Sequence, residues 1–225
     1  MKIGAITVGQ SPRTDITPEI IEYMGNVEVL EAGGLDGLTK EDIDKFKPAQ
    51  GDYVLISRLK DGSSVVFAEK YILPRLQQCI CDLETKGVQL IVFYCTGEFP
   101  QFHSNVPLLF PDVMLKGAVP SLAGGKPVII VTPVPEQLEQ SRVKWSCIPN
   151  AKSIAASPYG AWKDLEKAAE SLRGADAGLI VMDCMGYTKK MKELFAEKTG
   201  VRVVLSRTLM ARLIGELAGQ CVWIL

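Results

Sequence analysis

Leu90-Ile91-Val92-Phe93-Tyr94-Cys95-Thr96-Gly97 reads as a strand that ends in a cysteine and a tight turn. Its first five residues are all apolar or aromatic, so neither face of the strand is marked for water. That is the pattern of a parallel sheet covered by helices on both sides. The same grammar returns at Leu179-Ile180-Val181-Met182-Asp183-Cys184-Met185-Gly186: a buried strand, a cysteine, one residue, a glycine.

Apolar runs of strand length alternate with amphipathic stretches throughout. Lys2 to Val8, Val27 to Leu30 and Tyr53 to Ile56 join Leu90 to Tyr94 as strands of the first half. Val128 to Val131, Ser153 to Ala156, Gly178 to Met182 and Val201 to Leu205 form the second. Thr17-Pro18 opens a helix through Tyr23, and Thr39 with Asp42 is a capping-box start for another. Ser64 to Lys86 reads as a longer helix, ended by Gly87 and bent at Pro74. Glu136 to Lys144, Trp162 to Leu172 and Lys189 to Lys198 are helical. Arg207 to Leu217 closes the pattern with Leu209, Leu213 and Leu217 on one stripe. The class is α/β with parallel sheets. Two similar lobes fit, and so does one doubly wound sheet; a loop-rich stretch with three prolines, Gly97 to Pro111, separates the halves. The two-lobe division places 1–104 with the C-terminal helix 206–225 in one lobe and 105–205 in the other.

The 225 residues are 47% hydrophobic and 23% charged, with 26 acidic side chains against 25 Lys plus Arg. That suits a folded domain and leaves no basic excess to track a nucleic-acid backbone. No apolar window is long enough for a membrane span, and no signal-peptide pattern follows Met1, so a cytoplasmic location with reduced thiols is expected. The C-terminal Cys221-Val222-Trp223-Ile224-Leu225 is out of register for prenylation, but its apolar residues suit a homodimer contact. Six cysteines with one histidine make a zinc or iron site awkward, and no metal or cofactor is expected.

Ligands of parallel α/β sheets bind beyond the carboxyl ends of the strands. Two thiols on opposite sides of a bound carbon acid permit two-base chemistry: a thiolate takes the α-proton and a thiol returns one on the other face. Cys95 and Cys184 are the candidates. The backbone N–H groups of Thr96, Gly97, Met185 and Gly186 are placed to stabilise charge. Arg13 and Arg58 also follow strand tips, where a guanidinium grips a carboxylate, which points to a small anionic ligand; Lys60 pointing inward would add charge. Cys79 and Cys81 fit neither a redox nor a zinc spacing, and Cys147 and Cys221 have no motif partner. His103 reads as loop surface. Asp183 either acts on Cys184 or caps the following helix.

Val8-Gly9-Gln10-Ser11-Pro12-Arg13-Thr14-Asp15 and Asp183-Cys184-Met185-Gly186-Tyr187, with the general layout, resemble the AroM family across essentially the whole chain. That family looks like a branch of the aspartate/glutamate/hydantoin racemase superfamily. The resemblance implies two Rossmann-like lobes with the active site between them, no pyridoxal phosphate, and a last helix packed on the first lobe. It matches Cys95-Thr96 and Cys184 to the two racemase cysteine motifs. It sets Ser11, Thr96 and Thr188 where hydroxyls bind the substrate carboxylate; Gly97, Gly186 and Tyr187, on the two cysteine turns, are further candidates for substrate binding. Cys-Asn-Thr and Gly-Cys-Thr, common in racemases, are here Cys95-Thr96-Gly97 and Asp183-Cys184-Met185. No reaction carries over from the AroM branch itself. The resemblance favours a racemase or isomerase of a small carboxylate. A single-cysteine isomerase or decarboxylase and a non-catalytic small-anion sensor are the alternatives, and a cysteine hydrolase would have only His103 as its base.

Overall fold

In the computed structural model, which describes residues 1–219, Leu90–Phe93 and Leu179–Met182 are strands buried along their whole length. The chain divides into two compact units, Met1–Pro111 with 210–219, and Asp112–Leu209. The first holds β1 (Lys2–Thr7), β2 (Glu28–Gly33), β3 (Val54–Arg58), β4 (Ser64–Ala68), β5 (Leu90–Phe93) and β6 (Leu108–Leu109), with helices α1 (Thr17–Ile20), α2 (Lys40–Asp44) and α3 (Leu73–Thr85). Then follow α4 (Pro111–Ala123), β7 (Val128–Thr132), α5 (Leu138–Lys144), β8 (Lys152–Ala155), α6 (Trp162–Ser171), β9 (Leu179–Met182), α7 (Lys189–Thr199), β10 (Val203–Leu205) and α8 (Ser206–Gly219).

Each unit carries one four-stranded parallel sheet. The orders are β2-β1-β5-β6 and β8-β7-β9-β10, so both sheets have the same topology and β5 corresponds to β9. The apolar runs have their physical reason in the second sheet, where residues alternate between two covered faces. Ile129, Val131, Ile180 and Met182 pack with Leu165 and Ala169 of α6 and Leu194 and Phe195 of α7. Val128, Ile130, Leu179 and Val181 pack with Leu115 and Val119 of α4 and with Trp145. In the first unit Ile6, Ile91 and Phe93 meet Leu76, Ile80 and Leu83 of α3. No helix among the described residues is long and apolar enough to cross a membrane.

The Thr39–Asp42 capping box forms as expected, starting α2. Elsewhere the structure corrects the local reading. Ser64 to Lys86 is not one helix: Val65, Val66 and Phe67 lie in β4, which pairs antiparallel with β3 across a turn where Gly62 has φ +85°. The third strand is therefore outside the parallel sheet. Pro74 stands in the first turn of α3, where its missing N–H costs no hydrogen bond, and so starts the helix instead of bending it. In α8 the Leu213 and Leu217 side chains face solvent, and the buried stripe is Met210, Ile214 and Ala218. Within the first unit, Gly215 lets α8 approach the Tyr23 backbone: a Cβ there would sit 2.3 Å from the Tyr23 carbonyl oxygen. Helix α4 and strand β6 fall where the sequence reading placed no element. The proposed C-terminal dimer contact, Val222 to Leu225, and Cys221 lie outside the described residues.

Candidate active site

Both cysteines sit on the turn after corresponding strands, and both turns close in the same way. The Gly97 N–H lies 3.3 Å from Cys95 Sγ, and the Gly186 N–H lies 3.3 Å from Cys184 Sγ. Each sulfur thus has a backbone donor aimed at it, which favours a thiolate. Both glycines are closely overlain by a side chain. A Cβ on Gly97 would come within 2.9 Å of Leu55, and one on Gly186 within 2.5 Å of the Tyr159 hydroxyl.

The Cys184 turn is held residue by residue. The Ser206 hydroxyl bonds the Met182 carbonyl. The Asp183 carboxylate accepts Lys144 Nζ at 2.8 and 2.9 Å and Trp145 Nε1 at 2.7 Å, all in buried surroundings. Arg207, wholly buried, donates from Nε and Nη2 to the Met185 carbonyl. Asp183 is therefore half of a buried ion pair and does not cap α7; that cap is Thr188, whose Oγ1 accepts the Met191 N–H at 3.3 Å. Tyr187, expected at the ligand, is wholly buried and its hydroxyl donates to the Ala156 carbonyl at 2.6 Å, so it shapes the core behind the turn. Burial, with Cys184 and Asp183 adding to it, pushes its phenol well above the usual tyrosine range.

In the first unit the β3–β4 hairpin borders the strand tips. Gly9 allows this: a Cβ there would lie 2.6 Å from the Arg58 carbonyl oxygen. Ser11 is tied to Asp36, its N–H at 2.8 Å and its hydroxyl at 2.5 Å from the carboxylate. Arg13 is almost fully buried and grips Asp15 in bidentate fashion at 2.8 Å, with Nη1 also on Thr7 and Ser57. Arg58 is more exposed; its Nε bonds the Gly62 carbonyl and its Nη1 is 4.0 Å from Asp15. Arg13, Asp15, Arg58 and Lys60 line one cavity of about 280 Å³ with Gln10 and Pro12. Three cations and one carboxylate leave that cavity positive. Of the three cations, Arg13 is the one gripped by Asp15 in bidentate fashion. The Gln10 side chain fixes the Lys60 backbone N–H at 2.9 Å.

Thr96 is buried beside Cys95. The Glu98 N–H bonds the Tyr53 hydroxyl at 3.0 Å, and Glu69 follows β4 on the same hairpin. Glu69 Oε1 is buried with no hydrogen-bond partner; burial first, and Glu98 second, push this carboxyl up to about 7. Cys79 is half-buried with its thiol pushed up to about 11, chiefly by burial, while Cys81, Cys147 and His103 are exposed. No His, Cys, Asp and Glu cluster able to hold a metal occurs among the described residues. Sequence reasoning missed Lys144, Trp145 and Arg207. The polar Ser206-Arg207-Thr208 directly after the last apolar run was the available signal for the last of them.

The profile of the AroM protein family matches residues 3–218. No curated protein matches the sequence. Among solved structures, an allantoin racemase from Klebsiella pneumoniae is 15% identical with a TM-score of 0.62, over 98% of this chain and 88% of that one. The maleate isomerase Iso from Pseudomonas putida S16 is 14% identical with a TM-score of 0.61, over 96% and 92%. An arylmalonate decarboxylase is 13% identical with a TM-score of 0.62, over 97% and 93%. At these identities the likeness is one of fold.

Proposed function

Because the chain belongs to the AroM family, whose fold is that of racemases, isomerases and a decarboxylase, we propose a cofactor-independent, cysteine-dependent racemase or isomerase of a small carboxylate. The observation that carries the reading is the repeated turn: a thiol at the tip of corresponding strands, each with a glycine N–H at 3.3 Å. One sulfur, as thiolate, removes the proton next to the carboxylate; the other, as thiol, supplies one. Thr96 and Thr188 offer hydroxyls to the carboxylate, and Arg58 and Lys60 beside Arg13 offer charge to a further anionic group; the Ser11 hydroxyl, expected to join them, instead donates its proton to Asp36. Maleate isomerase and arylmalonate decarboxylase are themselves named for small carboxylates.

Incubation of a panel of amino and hydroxy acids in deuterated water tests this by proton NMR. Solvent exchange at the carbon next to the carboxylate is expected, falling by at least about 10³-fold in both Cys95→Ala and Cys184→Ala if each thiol is an acid or base. Loss in one variant alone makes the protein a single-cysteine isomerase or decarboxylase. No exchange anywhere in the panel, with ligand-induced thermal shifts that survive in the double variant, favours a small-anion sensor. The positive cavity, built by the first unit alone, is what speaks for that second reading.

A further inference from the structure

Arg207, the second residue of α8, is a guanidinium with no exposed surface, Nε at 2.9 Å and Nη2 at 2.5 Å from the Met185 carbonyl oxygen. That carbonyl shares one peptide group with the Gly186 N–H, the donor at 3.3 Å from Cys184 Sγ. A peptide group is planar, so holding its oxygen also sets the direction of its N–H. A cationic donor on the oxygen draws electron density through the same group and strengthens the N–H as a donor.

We infer that Arg207 is a positioning residue for Cys184, holding and polarising the peptide whose N–H stabilises the thiolate. Anchoring the helix does not by itself require it, because the neighbouring Ser206 already ties α8 to the Met182 carbonyl. Among the nearby titratable groups, Asp183 lies on the same turn and pairs with Lys144 of α5, Tyr187 lies behind the turn, and the Tyr159 hydroxyl of the loop after β8 approaches Gly186. Lys144 and Asp183 offset one another, and the Tyr187 phenol stays neutral at ordinary pH. Arg207 instead acts on the sulfur's own hydrogen-bond donor.

The inference rests on the reading of Cys184 as a working thiol, but its test needs no turnover. Alkylation of the intact protein by iodoacetamide is followed from pH 6 to 10, with peptides carrying Cys95 and Cys184 quantified separately by mass spectrometry. In Arg207→Met the Cys184 rate at pH 7 is expected to fall about tenfold, its profile moving about one pH unit upward. The Cys95 profile should not move. A Cys184 profile that superimposes on the parent's in the folded variant overturns the inference. If the methionine variant does not fold, Arg207→Gln keeps a neutral donor and should slow Cys184 about threefold; a rate equal to the parent's is again the overturning result. Failure of solvent exchange in the parent protein would sink the racemase reading and leave these alkylation rates intact.

Discussion

Lys144→Met is expected to lower the unfolding free energy by about 3–5 kcal/mol, a loss of roughly 10 °C or more in Tm for a chain of this size. Lys144 and Asp183 are each about 95% buried, with side-chain exposures of 5% and 5%, and the ammonium nitrogen touches both carboxylate oxygens at 2.8 and 2.9 Å. Methionine fills the volume of the aliphatic stem but removes the ammonium that faces both carboxylate oxygens, while the Trp145 N–H stays on the carboxylate at 2.7 Å. An uncompensated buried charge is what makes half-removal of such a pair costly, whereas removing both charges together is often close to neutral. The double variant Lys144→Met with Asp183→Asn should therefore recover most of the loss, since the amide oxygen still accepts from Trp145. Urea denaturation of the three proteins at pH 7 checks this. A single variant as stable as the parent would mean that water or another donor reaches Asp183, and the pair would no longer count as the clamp on the Cys184 turn.

That clamp also shows where a single sequence stops being informative. The doubled strand-cysteine-x-glycine element was legible because each copy is local: eight consecutive residues carry the burial pattern, the thiol and the turn. The Thr39–Asp42 cap was legible for the same reason. Lys144 pairs with a residue 39 positions away, and nothing in the helix around it marks it as buried. Its neighbours Arg142 and Val143 are exposed, so the local pattern reads as a solvated helix end. Arg207 was hidden likewise, by a carbonyl 22 positions back.

The hairpin was misread for a different reason. Ser64 to Lys86 contains one strand, a short 3-10 turn at Glu69–Tyr71 and one helix with no glycine between them, so an amphipathic period could be drawn through all three. β-branched Val65 and Val66 beside Phe67 were the local evidence for a strand, and pairing with Val54 to Arg58 made it decisive. The consequence for the site is large. The hairpin contributes Arg58 and Lys60 to the positive cavity at its turn end, and its other end lies where Tyr53 receives the Glu98 N–H just past the Cys95 turn. Arg58 reads from the sequence as a strand-tip residue, but it ends β3 of an antiparallel ribbon and not a strand of the parallel sheet. Helix α4 escaped notice because Gly117 and Pro120 interrupt it, although the Leu115, Val119 and Ala123 face is buried.

Glu69→Gln is expected to stabilise the protein at pH 8 and leave it almost unchanged at pH 4.5. The Glu69 carboxyl, pushed up to about 7 in the fold by burial and by Glu98, ionises near 4.5 when unfolded. Below 4.5 both states hold the proton and the group is silent. Between 4.5 and 7 the folded state binds more protons than the unfolded one, so stability falls as pH rises through this window. Above 7 the penalty is complete and constant, which is the reverse of a salt-bridged carboxylate. The full displacement corresponds to about 3 kcal/mol; the side chain is only half-buried, and solvent screening brings the expected penalty to roughly 1–2 kcal/mol. Glutamine keeps the shape and removes the charge, so Tm at pH 8 should rise by roughly 3–6 °C relative to the parent. Melting both proteins at several pH values between 4.5 and 8.5 gives the comparison. A Tm difference that does not grow across that window would mean that Glu69 finds a partner or solvent when it ionises, and that the hairpin meets the Cys95 loop without a buried charge between them.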